Sequence, residues 1–497
     1  MTLIETGNLD VSFGDGVYIS PFSPMSEQLK RQITQSLDVK FLGFIDNKKL
    51  GENIFRPDQI CDSEFKKILI ISPNFSIEIY KNFKSLGISD CKLEILNYNG
   101  TFRKTSLLKL RWVKIKGNLL PNIHLVLQRL LQKYVQRKDM VLFLSQGFID
   151  LNIKQVYLYF ADKPEFITAI ATDNKQQMAQ LRQLGFNVLD IHSIKFVFFS
   201  LRAKLKILDH TPITKELLYS IRGSKTIQIW HGIPLKKIGH MADYKMTKYD
   251  VMISTSDFVT DYAFSNVFDY KKIVNAGYPR TEVLVNHKET DKNLVMVKHD
   301  IYEWVKNTDK SVVIYMPTWR SDSYDNNPIH LEKLNEFAST NSLIIVIKMH
   351  PLVRPDSFFD TLESERYQFT QGYQQSIVFY PSVNDIYPLL SISSLLITDY
   401  SSIYFDYLLI DKPIIFFVYD KQVYVEQHGD FMLDFDKFTP GMKPTDMPSL
   451  LNSILISLRS DEHQHQRQLL VQQLYEQKNI GNSSRVIFDE SVILLAN

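Results

Sequence analysis

The chain has 497 residues, 44% of them hydrophobic and 23% charged, and a formal net charge of +2. That length exceeds one ordinary core and implies two or three domains of globular composition, while the near-neutral balance points to no class of partner. Only Cys61 and Cys91 are present, which excludes a disulfide framework, and neither sits in a metal-like cluster.

Residues 17–20 and 41–46 read as strands with a helix over 25–37 between them. Residues 67–72 read as a further strand and 77–86 as a helix ended by Gly87. This alternation is a βαβ pattern and predicts a small parallel sheet. The stretch GFIDNKKLGENI (43–54) resembles the strand-turn element of small Rossmann-like domains that accompany sugar-modifying enzymes. The glycine fingerprint of a dinucleotide site is missing, because Gly14 and Gly16 precede the first strand, so NAD is not expected. Asn97-Tyr98-Asn99-Gly100 marks a domain boundary. From 101 to 138 there is no Asp or Glu, but ten Lys or Arg residues from Arg103 to Lys138, interleaved with leucines and Trp112. Such a stretch suits the interface of an anionic membrane, an amphipathic element with a solvated basic face, or a nucleic-acid patch.

Further along, 173–184 reads as a helix ended by Gly185, followed by a strand at 186–189. Four strand ends then carry chemistry. The alternating strand 226–229 leads into Trp230-His231-Gly232-Ile233-Pro234-Leu235-Lys236-Lys237, where Gly and Pro turn the backbone sharply. A neutral imidazole projecting from such a turn can take a proton from a hydroxyl nucleophile. The apolar run 312–316 ends in Pro317-Thr318-Trp319-Arg320, and 343–347 ends in Lys348-Met349-His350-Pro351. Lys348 and His350 have the period-2 spacing of one face of an extended segment. Finally 395–397 ends in Thr398-Asp399-Tyr400-Ser401-Ser402, which turns into a helix closed by Asp411-Lys412-Pro413, with another strand at 414–418. Hydroxyls and free N–H groups at such a helix start suit a phosphate. Singly, each has a bland reading as a cap, a surface ion pair or a snorkelling lysine. Four strand ends together point to the crevice where open α/β sheets bind ligands.

The ordered set WHGIPLKKIG (230–239), GYPR (277–280), YMPTWR (315–320), KMHP (348–351) and TDYSSIYFDYLLIDKP (398–413) resembles the CDP-glycerol glycerophosphotransferases, which build teichoic acids and glycerol-phosphate capsule polymers. The resemblance spans roughly residues 190 to 435. It implies an α/β protein of GT-B architecture, two facing Rossmann-like domains, here with the small N-terminal Rossmann-like α/β module added. It also implies His231 as general base and His350 as holder of the donor pyrophosphate, the two catalytic residues. Ser401 and Ser402 would bind phosphate oxygens. Lys236, Arg280, Arg320, Lys348, Thr398, Asp399 and Glu426 complete the expected substrate-binding set, with Asp399 ordering the turn. The family's Glu followed by an Arg-Gly pair is only partly matched, since Glu426 is followed by His428-Gly429.

The expected domains are 1–100 as the small module, 101–138 as the basic segment, 139–285 as the acceptor-side domain, and 286–497 as the donor-side domain. The last includes a helical tail over 447–496, which the resemblance implies crosses back to the first of the two GT-B domains. The expected reaction moves glycerol phosphate from CDP-glycerol to a lipid-linked or polymeric glycerol-phosphate acceptor and releases CMP. No acidic cluster has metal-ligand spacing, so no cofactor is required, although a divalent cation could ride on the diphosphate. A lipid-linked acceptor favours the anionic-membrane reading of 101–138 over nucleic acid. With no leader peptide and no bilayer-spanning run, the expected place is the cytoplasm, at the inner face of the membrane. The alternatives are a CDP-ribitol enzyme, a GT-B glycosyltransferase using a nucleotide sugar, and a catalytically silent scaffold.

Overall fold

The computed structural model describes residues 9–496 apart from 10, 37–38, 48, 50, 61–64, 72–75, 97–101, 105–129, 132–133, 146–150, 211–220, 239–247, 266, 287–293, 319, 321–326, 351–366 and 368–374. Most of the expected basic segment, the boundary at Asn97 to Gly100, and the motif residues Gly239, Trp319 and Pro351 therefore lie outside the described residues. The chain divides into two compact units, Met1–Ile123 and His124–Asn497.

The first unit is a six-stranded sheet of β1 (Gly16–Ser20), β2 (Lys40–Ile45), β3 (Ile54–Phe55), β4 (Lys67–Ile70), β5 (Leu93–Leu96) and β6 (Phe102–Lys104). The order is β3-β2-β1-β4-β5-β6, parallel throughout except for the antiparallel β6 edge. Helices Pro24–Ser36 and Ser76–Ser85 lie within two residues of the positions the apolar spacing predicts. β4 is buried along its whole length, as a parallel strand covered on both faces must be. Its Lys67 is tolerated there because Glu94 on β5 pairs with it at 3.0 Å.

The second unit holds two further parallel sheets. The larger comprises β7 (Lys138–Leu144), β8 (Ile167–Thr172), β9 (Val188–Asp190), β10 (Ala203–Leu208), β11 (Lys225–Gln228), β12 (Tyr249–Ser254) and β13 (Tyr270–Asn275), in the order β13-β12-β11-β10-β7-β8-β9. The smaller comprises β14 (Ser311–Tyr315), β15 (Leu343–Ile347), β16 (Ile377–Phe379), β17 (Leu395–Thr398) and β18 (Ile414–Phe416), in the order β16-β15-β14-β17-β18. In each, the chain winds outward from a central strand and then returns to the other side. The reversal falls between β7 and β10 in one sheet and between β14 and β17 in the other. At such a reversal neighbouring loops leave in opposite directions and open a crevice at the strands' carboxyl ends.

The central strands are continuous apolar runs: Leu343-Ile344-Ile345-Val346-Ile347 is buried throughout. Each such side chain contributes ~1.5–3 kcal/mol relative to exposure. The expected helical tail is three helices, Met447–Arg459, Gln464–Leu474 and Ser483–Ala496. The last packs on the helix Asn152–Ala161 and on β10 and β11, so Ile487 joins the core of the larger sheet. Buried Lys154 ties that same Asn152–Ala161 helix to the loop before Tyr387, through an ion pair with Asp385 and a 3.0 Å bond to the Val295 carbonyl.

Candidate functional site

Both sheets of the second unit aim the carboxyl ends of their strands into one cleft of about 470 Å³. On the wall of the larger sheet, β11 delivers Trp230, His231 and Gly232. The backbone reverses there with Trp230 at φ 53° and Gly232 at φ 140°, the second a value that side chains rarely adopt. The His231 ring lies between Trp230, 3.9 Å away, and His210, stacked at 4.7 Å and 15°. His231 Nδ1 is 3.3 Å from the Asp209 carbonyl. A carbonyl only accepts, so Nδ1 carries the proton of the neutral imidazole, and Nε2 keeps its lone pair. The Asp209 carboxylate is itself buried, taking the Ser145 hydroxyl at 2.8 Å and His210 Nδ1 at 2.9 Å.

Arg280 enters the cleft from the short turn Pro279–Thr281 after β13. Its Nη1 donates to the His231 carbonyl at 2.8 Å, its Nε to Asp406 at 2.8 Å, and its backbone N–H to Asn152 at 3.1 Å. Asn152 also donates to the Trp230 carbonyl at 3.1 Å, so the turn carrying His231 is held from two sides. Asp406 is fully buried and additionally accepts the Tyr387 hydroxyl at 2.6 Å. A Cβ on Gly232 would stand 2.8 Å from Arg280 Nη2, so the guanidinium requires glycine at that position.

On the opposite wall, β15 delivers Lys348, Met349 and His350, and β17 delivers Tyr400, Ser401 and Ser402. Lys348 is buried, and its ammonium is held by the Ser382 and Pro381 carbonyls. Burial pushes it down to about 7 despite the opposing pull of Asp385. His350 is exposed. The helix after Ser402 is only Ile403–Tyr407, continued by a 3-10 turn Leu408–Ile410 and ended by Asp411 in the left-handed conformation. Ser401 Oγ accepts from the Ile403 N–H at 3.4 Å.

Lys236 also lines the cleft, with its ammonium 4.9 Å from the Tyr424 ring centre. Burial lowers it to about 8, with Asp399 pulling the other way. The structure thus brings His231, Lys236, Arg280, Lys348, His350, Ser401 and Ser402 together around one space. Thr398, Asp399 and Arg320 stand behind that wall. Thr398 bonds the Met316 carbonyl, and Asp399 accepts the backbone N–H groups of Thr318 and Tyr400. Arg320 bridges Asp399 at 2.8 Å and Asp420 at 2.6 Å beneath Tyr400 and Tyr424, and those carboxylates hold its pKa above the usual arginine range despite burial. Glu426 is exposed on the helix Lys421–His428 and takes Gln422 at 3.2 Å. Asp209, His210, Asn152 and Tyr387 had no signal in the sequence, because the partners that tie them to the site lie 19 to 128 residues away: Ser145 and His231 for Asp209, the His231 ring for His210, Trp230 and Arg280 for Asn152, and Asp406 for Tyr387. Among the described residues, no group of three or more His, Cys, Asp or Glu could hold a metal ion.

The chain is 28% identical over 318 residues to a teichoic acid poly(glycerol phosphate) polymerase of Bacillus subtilis (strain 168), covering 58% of this chain but 40% of the relative. It is 29% identical over 293 residues to a teichoic acid glycerol-phosphate transferase of Staphylococcus aureus (strain NCTC 8325 / PS 47), covering 53% of this chain and 69% of the relative. In three dimensions it is similar to the wall teichoic acid polymerase TagF, with a TM-score of 0.58 at 23% identity, over 77% of this chain and 95% of that one. At that identity the likeness speaks for the fold: α/β with parallel sheets. The family described as CDP-Glycerol:Poly(glycerophosphate) glycerophosphotransferase matches residues 125–490, a span that takes in the whole cleft and every motif on its walls. On that match the chain belongs to the CDP-Glycerol:Poly(glycerophosphate) glycerophosphotransferase family.

Proposed function

We infer that the second unit works as a GT-B pair that transfers glycerol phosphate from CDP-glycerol to a hydroxyl of a lipid-linked or polymeric glycerol-phosphate acceptor, releasing CMP. One observation carries this reading: a histidine whose Nδ1 is directed at the Asp209 carbonyl lines the same cleft as a lysine, a second histidine and two serines on the opposite wall. The acceptor hydroxyl attacks the β-phosphorus and passes its proton to His231 Nε2, while the bond to CMP breaks. Phosphoryl transfer is limited by positioning and charge neutralisation, which Lys348, His350 and the Ser401 and Ser402 hydroxyls supply. The reading requires no metal, and a divalent ion on the diphosphate is compatible with it. Arg280, Asp399 and Arg320 hold the two walls in shape.

A lipid-linked acceptor would need an anionic membrane surface, which the basic segment 101–138 suits, at the inner face of the cell membrane and without nucleic acid. Among the described residues no helix is long and apolar enough to cross a membrane. The test is CMP release by the purified chain given CDP-glycerol, CDP-ribitol or a nucleotide sugar with membrane extract as acceptor. Release from CDP-glycerol, reduced by a factor on the order of a hundred or more in His231→Ala with donor affinity retained, is the expected result. Release only from CDP-ribitol or a nucleotide sugar would move the function to that donor, and undiminished turnover in His231→Ala would remove the base.

A further inference from the structure

Two unfavourable features meet on the wall of the larger sheet and play no part in the transfer step. Gln177, in the helix Lys175–Gln183 after β8, forms part of the cleft wall and is only 6% exposed, yet its carboxamide oxygen has no hydrogen-bond partner among the described residues. An orphaned buried oxygen is costly, and native chains retain few of them. Leu151, the residue that starts the helix after β7, lines the cleft in the left-handed conformation at φ 60°, which a leucine adopts only under strain. Strain and unmet polarity of this kind collect where a ligand compensates them.

The strand order says which ligand. His231 follows β11, Leu151 follows β7 and Gln177 follows β8, and the sheet runs β11-β10-β7-β8. Three strand spacings, about 14 Å, therefore separate the end of β11, which leads to His231, from the end of β8, which leads to Gln177, with the β7/β10 crevice between them. That is too far for Gln177 to touch the glycerol whose hydroxyl His231 activates. The donor's diphosphate faces the cationic wall across the cleft, so what lies along this rim is the acceptor.

We propose that Gln177 is a subsite for the acceptor chain behind its attacking end, where the carboxamide oxygen accepts a hydrogen bond from a hydroxyl of an inner polyol-phosphate unit. The chain then runs from His231 across the β7/β10 crevice, over Leu151, to Gln177. The carboxamide's terminal torsion is broad, so its oxygen can turn to the ligand at little cost. The inference rests on the transfer reading above and adds to it a preference for acceptors longer than one unit.

The experiment uses the full chain, CDP-glycerol, and soluble acceptor analogues carrying one or three glycerol-phosphate units. In Gln177→Leu the advantage of the three-unit over the one-unit acceptor in kcat/KM falls roughly five- to tenfold, the worth of one neutral hydrogen bond. Donor Kd stays put, and the melting temperature holds or rises, because an orphaned polar atom has been replaced by an apolar one. Gln177→Glu, which sets a negative charge beside an acceptor phosphate, falls further. An unchanged length advantage in Gln177→Leu overturns the subsite, as does a lowered melting temperature with equal losses on both acceptors, which would make Gln177 a packing residue. No CMP release by the unmodified chain on any acceptor sinks the transfer reading itself, and the subsite with it.

Discussion

Asp406→Ala tests whether the buried Arg280–Asp406 pair holds the turn that carries His231. Asp406 Oδ2 lies 2.7 Å from Arg280 Nη2 and 2.8 Å from Nε, and both groups are more than nine-tenths buried. Removing the carboxylate leaves a guanidinium in a low-dielectric site, a loss of ~3–5 kcal/mol when a buried pair is broken on one side. Arg280 keeps its bond to the His231 carbonyl and its position over the Tyr278 and Tyr387 rings, which places the expected cost near the lower end, at ~3 kcal/mol. With an unfolding entropy of ~2.1 cal/mol/K per residue over the unit His124–Asn497, that cost lowers the melting temperature by about 4 °C. Turnover falls more steeply than stability, on the order of a hundredfold, because a guanidinium no longer clamped by Asp406 holds the His231 carbonyl less rigidly. Scanning calorimetry and CMP release read the two effects. Adding Arg280→Met to Asp406→Ala restores part of the lost melting temperature, since no uncompensated charge remains. An Asp406→Ala protein that melts and turns over like the unmodified chain refutes the pair's role.

Lys348 gives a pH signature. Its folded value of about 7 lies below the ordinary lysine value, so between the two the unfolded chain holds a proton the folded chain lacks, and stability rises with pH across that window. Lys348→Met flattens that rise; an unmodified chain with no such slope in denaturant titrations counts against the assignment. An anionic diphosphate beside Lys348 draws its pKa back up, so donor binding at pH 8 takes up a proton, measurable by calorimetry in buffers of different ionisation enthalpy. Gly232→Ala meets both a φ of 140° and Arg280 Nη2 at 2.8 Å, and the expected outcome is a loss of turnover with donor affinity largely kept; normal kcat would show that the turn can yield. Neutralising Lys109, Arg111, Lys114 and Lys116 together weakens sedimentation with anionic vesicles by ~1 kcal/mol per charge, and equal binding ends the membrane reading.

The strands and the order of the motifs were legible in the sequence because they depend on local chemistry. Apolar runs such as 343–347 become buried parallel strands wherever a sheet covers both faces, and each expected strand matches an observed one to within two residues. Residues just past a strand in such a sheet lie at its carboxyl end, so Trp230-His231-Gly232, Lys348-Met349-His350 and Ser401-Ser402 were bound to face a common side. The division of labour within the motifs was not legible. Arg320 and Lys348 look alike as cations after a strand, yet one is locked between Asp399 and Asp420 behind the wall and the other lines the cleft. The same holds for the Asp209 carbonyl that sets the His231 tautomer, for His210 stacked beside it, and for Asn152 bracing the turn. Those contacts join residues up to 128 positions apart, and no local periodicity records them. Residue type and spacing determined what chemistry the chain could bring to its strand ends; the winding of two sheets around one cleft decided which of those groups meet, because burial and pairing are settled only between elements distant in sequence.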